Sequence, residues 1–134
     1  MKVVYVVAAA LFDAEGRVLL AQRPEGKAMA GLWEFPGGKI EKDERPEEAL
    51  SRELQEELAI TVSESDLYPL TFASHTYDSF HLLMPLYGLE RWRGTPRPTE
   101  GQKLNWVAPH DLHTYPAPAA DIPLFTALRS RYGA

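Results

Sequence analysis

Three glutamates are spaced so that an α-helix would bring their carboxylates together. Glu53, Glu56 and Glu57 stand at positions i, i+3 and i+4, which share one face of a helix. Like charges at this spacing destabilise a helix by about 0.2 to 0.5 kcal/mol per pair. A cation would offset that repulsion, and clustered carboxylate oxygens suit Mg²⁺ or Mn²⁺, which also bridge to substrate phosphates. The spacing therefore makes these glutamates candidate ligands for a divalent cation.

The acidic charge of the chain is concentrated around these glutamates. The 134 residues carry a net charge of -5, and residues 41–57 hold eight acids and three bases, so the remainder is neutral. A nucleic acid polymer is a poor partner for such a chain, because binding it requires many Lys and Arg contacts to phosphates. The alternative interpretation is a solvated acidic face that binds no ligand.

A helix over residues 46–58 is expected to position the glutamates. Proline suits a first helical turn, and Pro46 stands there. The apolar stripe of this helix recurs every four residues and consists of Leu50, Leu54 and Leu58. Arg45 occupies the N-cap position, where Ser, Thr, Asp or Asn would be expected. Within the helix, Glu48 and Arg52 are spaced for an ion pair, which would partly relieve the charge.

The remaining patterns predict strands before and after this helix, and a second helix near the end. Residues 3–12 and 17–22 have the pattern of a β-hairpin around a turn at 13–16. Further predicted strands cover residues 32–35, 70–77, 80–89 and 103–107, a long loop covers 91–101, and a helix covers 122–132. This order predicts one α/β (α+β) domain over residues 1–134, with a mixed sheet and helices packed on it.

Several classes are excluded by composition. The chain has no Cys, which excludes disulfides, thiolate metal sites and a cysteine nucleophile and fits a reducing cytoplasm. No apolar run reaches the roughly 18 residues that a membrane span needs. Residues 3–12 could imitate a short signal peptide, but the turn and apolar run that follow favour a buried strand. We therefore expect a cytoplasmic protein without a membrane partner.

The segment around the glutamates resembles a known family signature. From Gly38 the chain reads Gly, five residues, Glu44, seven residues, then Arg-Glu-Leu-Gln-Glu-Glu-Leu-Ala-Ile over 52–60. This resembles the Nudix hydrolase signature G-x5-E-x7-R-E-U-x-E-E-x-G-U, in which U is a bulky aliphatic residue. Ala59 stands at the glycine of the signature, where a left-handed backbone follows the helix. Ala there would cost on the order of 1 kcal/mol without removing a ligand atom.

The resemblance extends to the MutT branch of the family, which removes oxidised nucleoside triphosphates from the nucleotide pool. The segments that carry it lie at 33–41, 91–92, 100–102 and 118–123. The implied fold is an α/β/α sandwich. The implied activity is Mg²⁺-dependent hydrolysis of 8-oxo-dGTP to the monophosphate and pyrophosphate, with Mn²⁺ as a substitute ion. The implied partner is this small nucleotide, and we expect a monomer.

The resemblance also implies roles for individual residues. The implied metal ligands are the Gly38 carbonyl, Glu53, Glu56, Glu57 and Glu100. Either Glu53 or Glu100 would serve as the general base, Arg52 would orient the glutamates, and Glu44 would support them. Arg23 is expected to meet phosphate, and Phe35 either packs against the base or belongs to the core.

The base preference stays open at this point. Asp121 stands where MutT has an Asn that reads the oxidised guanine, and an ionised Asp cannot donate to the O6 carbonyl. Asp121 could instead accept from a cytosine amino group, since the 118–123 segment also resembles cytidine triphosphate pyrophosphohydrolases of the same superfamily. It could also cap the final helix. A regulator that binds nucleotides without catalysis is disfavoured because all three helical glutamates are present.

Overall fold

The computed structural model describes residues 1–133, and the predicted helices and strands occur in the predicted order, with one further strand over 37–39. The strands are β1 (Lys2–Leu11), β2 (Val18–Gln22), β3 (Trp33–Glu34), β4 (Gly37–Lys39), β5 (Tyr68–Thr76), β6 (Phe80–Leu89) and β7 (Lys103–Val107). The helices are α1 (Pro46–Leu58) and α2 (Ile122–Tyr132), and short 3₁₀ turns cover Glu64–Asp66 and Pro109–Thr114. Both predicted helices have the expected bounds.

The strands form two sheets. The larger sheet has the order β4-β1-β6-β5, and β1 runs parallel to β6 but antiparallel to β4. The smaller sheet has the order β3-β2-β7 and is antiparallel throughout. The expectation of a mixed sheet is therefore confirmed. The Pro-Gly-Gly stretch after β3 does more than stop a strand, because Gly37 and Gly38 pair with Ala8 and Val7 of β1.

The predicted hairpin of the first two strands is only half correct. The chain does turn where expected, with the Gly16 N–H donating to the Asp13 carbonyl at 3.0 Å. However, the pairing across this turn is limited to one bridge between Phe12 and Val18, after which β1 and β2 diverge into different sheets. The reason is that β1 already has partners on both sides, since β4 and β6 occupy its two edges.

The two helices cover opposite faces of the strands. On one side the leucine stripe of α1 packs with Val7 and Leu11 of β1, and all of these side chains are buried. On the other side Leu124 and Leu128 of α2 share a core with Ala8 of β1. Each large apolar side chain buried in this way contributes roughly 1.5 to 3 kcal/mol. The result is the α/β/α sandwich that the resemblance implied.

The two ends of helix α1 lie at Arg45 and Ala59, the positions that the sequence predicted. Arg45 makes no side-chain cap, but its N–H donates to Oε1 of Glu48 at 2.9 Å, which closes the first turn. At the other end Ala59 adopts the left-handed conformation, with φ 57° and ψ 36°.

No helix among residues 1–133 has the length and apolar character needed to cross a membrane.

Candidate active site

A cavity of about 240 Å³ opens beside the C-terminal half of α1. Strand β2 and the residues after it form one wall, β3, β4 and α1 form another, and the loop before β7 completes the rim. The charged residues that line it are Arg23, Lys27, Glu34, Glu53, Glu57 and Glu100, and the other lining residues include Gly37 and Gln102. Four carboxylates in a cavity of this size suit a divalent cation such as Mg²⁺, which proteins bind through carboxylates together with substrate phosphates.

The packing of α1 points two of the glutamates into the cavity. Because the leucine stripe is buried, Glu53 and Glu57, one turn apart, are held at the edge of the helix that faces β4. The Gly37 N–H donates to Oε2 of Glu57 at 3.0 Å. A Cβ atom at Gly38 would collide with the carboxylate of Glu53. Glycine at 38 therefore lets the strand approach the carboxylate closely.

The cavity is lined by more acidic than basic side chains, four against two. Burial is the main cause that raises the pKa of Glu57 to about 8, and the negative charges of Glu53 and Glu100 add to it. The hydrogen bond from Gly37 acts in the opposite direction. Burial likewise raises the pKa of Glu53, against the effect of Arg52. Oxygen donors that repel each other in this way fit a divalent cation, which would remove the repulsion.

The structure separates Glu56 from the other three carboxylates that were predicted as metal ligands. Glu53, Glu57 and Glu100 line the cavity, whereas Glu56 does not. The Glu56 side chain is 54% exposed, and its Oε2 lies 3.4 Å from Nη1 of Arg52. Within residues 1–133, no three His, Asp or Glu side chains are already arranged as a metal cage. The carboxylates of Glu53, Glu57 and Glu100 therefore line one cavity but do not form a complete coordination shell.

Arg52 has a different partner from the one that helical spacing suggested. Its Nε lies 2.8 Å from Oε2 of Glu44, and its Nη1 donates to Oε1 of Glu53 at 3.0 Å. Hydrogen bonding to Glu44 raises the pKa of Arg52 and lowers that of Glu44. The expected pair between Arg52 and Glu48 is wrong, because Glu48 instead contacts Arg45, with Nε and Oε1 3.2 Å apart. Arg52 is thus placed to orient Glu53.

Arg23 contacts the carboxylate of Glu34, which the sequence did not single out as a site residue. Its Nε lies 2.9 Å from Oε2 of Glu34, and its Nη2 donates to Oε1 at 3.1 Å. Burial raises the pKa of Glu34, while Arg23 opposes that shift. The antiparallel pairing of Ala21 with Glu34 brings the two side chains together. The sequence does show that Glu34 is an acid within a short aromatic strand. That Arg23 is its partner could not be predicted, because it depends on how β2 and β3 pair.

Asp121 and Phe35 lie on the α2 side of β3. Asp121 is 5% exposed, and its Oδ2 accepts a hydrogen bond from the Phe35 N–H at 3.2 Å. It makes no side-chain cap on α2, so the capping interpretation is wrong. Burial is the main cause that raises the pKa of Asp121 to about 7, and the charge of Glu34 adds to it. The Phe35 ring is 4% exposed and packs edge-on against Phe125, so it belongs to the core. This placement does not support direct contact between the Phe35 ring and a base.

Fold and site together define a mixed α/β domain with a carboxylate-lined cavity at the end of one helix. Residues 7–127 match the family model described as the NUDIX domain. The chain belongs to the Nudix family and is a Nudix hydrolase.

Two relatives match almost the whole chain. The CTP pyrophosphohydrolase of Escherichia coli is 42% identical over 97% of this chain and 96% of its own length. The 8-oxo-dGTP diphosphatase of Haemophilus influenzae is 35% identical over 95% and 92% respectively. A solved MutT structure, from work on the Aliivibrio salmonicida and Vibrio cholerae proteins, matches with a TM-score of 0.83 at 32% identity. That match covers 98% of this chain and 100% of the other, so the fold is MutT-like.

Proposed function

We propose that this Nudix hydrolase is a Mg²⁺-dependent nucleoside triphosphate diphosphatase that hydrolyses 8-oxo-dGTP to the monophosphate and pyrophosphate. The observation that carries the proposal is the convergence of Glu53, Glu57 and Glu100 on one cavity that also contains Arg23. Relatives named 8-oxo-dGTP diphosphatase support the choice of substrate. The physiological role would be to remove oxidised nucleotides before they enter DNA.

The carboxylates would hold the ion and manage the proton. Glu53, Glu57 and Glu100, with the Gly38 carbonyl, are the proposed ligands of Mg²⁺, for which Mn²⁺ can substitute. When bound, this ion neutralises phosphate oxygens and lowers the pKa of the attacking water. Glu53 is the proposed general base, with Glu100 as the alternative. Glu56 is also proposed as a ligand, which requires its side chain to leave Arg52.

Two cationic side chains would hold the substrate's phosphates, and a third would hold the proposed general base, Glu53. Arg23 faces the cavity with its guanidinium fixed by Glu34, and we assign it to the phosphate chain because its planar donors match phosphate oxygens. Lys27 lines the same cavity and supplies a second positive charge. Arg52 would fix the orientation of Glu53 rather than contact the nucleotide.

A cytidine nucleotide is the second candidate substrate, and Asp121 is the observation in its favour. When ionised, this buried carboxylate can accept a hydrogen bond from a cytosine amino group but cannot donate one to the O6 carbonyl of guanine. The 42% identical relative is a CTP pyrophosphohydrolase. With a pKa of about 7, Asp121 is partly protonated at neutral pH, and the protonated form can both donate and accept. The side chain therefore does not exclude 8-oxoguanine.

Turnover with identified products tests these proposals. The purified protein would be given Mg²⁺ and, in separate reactions, 8-oxo-dGTP, dGTP, CTP and 5-methyl-dCTP, with products separated by ion-exchange chromatography. We expect pyrophosphate and 8-oxo-dGMP, at a kcat/KM well above that for dGTP. Rapid release from the cytidine nucleotides alone would favour the second candidate. Absence of turnover with all four, together with nucleotide binding, would favour a non-catalytic regulator.

The remaining proposals concern the setting of the enzyme. We propose that it acts as a monomer in the cytoplasm on a free nucleotide and not on a nucleic acid polymer or at a membrane. Light scattering of the purified protein would test the oligomeric state.

A further inference from the structure

The loop before β7 is fastened to the last turn of α1. No Lys, Arg or His lies in that turn, so the free carbonyls at the helix end need other donors. The Arg97 N–H donates to the Leu58 carbonyl at 2.9 Å, and the Thr99 N–H donates to the Glu57 carbonyl at 3.2 Å. The Thr99 hydroxyl, which has one proton, lies within hydrogen-bond distance of both the Glu56 and the Glu57 carbonyls. The loop thus replaces a conventional helix cap.

One buried amide in this loop joins two backbone positions that carry cavity carboxylates. Gln102 is 8% exposed. Its Nε2 donates to the Glu57 carbonyl at 2.9 Å, and its Oε1 accepts from the Glu100 N–H at 2.8 Å. Gly101, with φ of 78°, allows the chain to fold back so that this second bond can form. Both polar atoms of the amide are therefore committed to the backbone.

This arrangement matters because the loop is otherwise exposed. Residues 97–101 are all solvent-exposed, so few packing contacts restrain the backbone at Glu100. The Glu57 backbone, by contrast, is part of a helix whose leucines are completely buried. Through its two hydrogen bonds, Gln102 links the exposed backbone at Glu100 to the helix backbone at Glu57. Both of these residues carry side chains that line the cavity.

We propose that Gln102 is a positioning residue that holds Glu100 at a fixed place relative to Glu57, so that the two carboxylates bind one divalent ion together. It touches neither substrate nor ion in this role, and it acts through the backbone of Glu100. The inference rests on the proposed function in one respect, namely that Glu100 is a ligand.

Mn²⁺ binding to the complete protein, measured by electron paramagnetic resonance without nucleotide, provides the test. Gln102→Met removes both hydrogen bonds of the amide, and we expect the Mn²⁺ dissociation constant to rise about 10-fold or more, as is typical when a group that orients a ligand is lost. The control is Thr99→Val, which removes only hydroxyl bonds to the helix end. It should lower the melting temperature but leave Mn²⁺ affinity within about twofold.

A double-mutant cycle separates failure of this inference from failure of the proposed function. If Gln102 acts through Glu100, Gln102→Met should cause no further loss of Mn²⁺ affinity in a Glu100→Gln background. Full additivity of the two changes, or equal losses in Gln102→Met and Thr99→Val, would overturn the inference alone. Unchanged Mn²⁺ affinity in Glu100→Gln would overturn the ligand assignment, and the inference with it.

A second variant keeps the test decisive if Gln102→Met does not fold. Gly101→Val leaves the amide in place but disfavours the left-handed backbone that the turn needs. A Cβ at this position meets no atom within 4 Å, so the change strains the turn without a clash. We expect it to weaken Mn²⁺ binding several-fold, and unchanged binding in this variant would contradict the inference.

Discussion

Arg52 grips Glu44 with two parallel hydrogen bonds, Nε to Oε2 at 2.8 Å and Nη2 to Oε1 at 3.0 Å. The same guanidinium donates to the Lys39 carbonyl at 3.1 Å and to Glu53 at 3.0 Å. Glu44 and the Lys39 carbonyl therefore fix the guanidinium, and the guanidinium in turn fixes the carboxylate of Glu53. This fork of donors connects a charged residue outside the cavity to a carboxylate that lines it.

The first prediction concerns this fork. Arg52→Lys keeps the charge but loses the planar donors, so Glu53 should lose its fixed orientation. We expect kcat to fall about 10- to 100-fold, while the melting temperature changes little, because partly exposed ion pairs contribute only about 0 to 1 kcal/mol. Steady-state kinetics would measure the effect. Glu48→Gln is the control, and equal losses in both variants would contradict the assignment.

The second prediction concerns the end of α1. Ala59 is held in the left-handed conformation, which costs an L-residue roughly 1 to 2 kcal/mol, partly offset by its lower entropy in the unfolded chain. Ala59→Gly should therefore raise the melting temperature by about 2 to 4 °C and leave kcat unchanged. Ala127→Gly, inside α2, is the matched control and should lower it by a similar amount. A lower melting temperature in Ala59→Gly would show that the conformation carries no strain.

The third prediction concerns the pH dependence of stability. Burial raises the pKa of Asp121 to about 7, so the folded protein retains a proton that the unfolded chain releases at lower pH. The stabilisation from that proton is complete below the unfolded pKa and is lost as the pH rises through about 7. Asp121→Asn does not titrate. Between pH 5 and pH 8.5 we therefore expect the melting temperature of the wild type to fall by several degrees relative to this variant. A difference that stays constant with pH would refute the shift.

The elements with local causes were predictable from the sequence. The leucine stripe and Pro46 predicted α1 with the bounds that the structure shows. Position 59 was expected to be left-handed because the family signature has glycine there, just past the helix, and it is. The same helical spacing predicted that Glu53, Glu56 and Glu57 share one face. Of these, Glu53 and Glu57 line the cavity, whereas Glu56 does not.

The contacts that depend on tertiary structure were not predictable in this way. Helical spacing predicted an Arg52–Glu48 pair, whereas Arg52 pairs with Glu44, which lies before the helix, where helical periodicity gives no position. The bond from Phe35 to Asp121 joins residues 86 positions apart, and no periodicity signals it. The hairpin prediction failed in part because pairing with β4 and β6, distant in sequence, determines where β1 goes.

The rate of pyrophosphate release from 8-oxo-dGTP as a function of Mg²⁺ concentration, in the wild type and in Glu57→Gln, tests directly whether the cavity carboxylates act through a divalent ion. Glu57 lines the cavity, is half-buried and accepts from the Gly37 N–H, so its replacement removes a proposed carboxylate ligand with little change in shape. We predict that the wild-type rate saturates with Mg²⁺ and that the variant is slower by on the order of 100-fold or more. A wild-type rate that does not depend on Mg²⁺, or a variant that matches the wild type, would contradict the account.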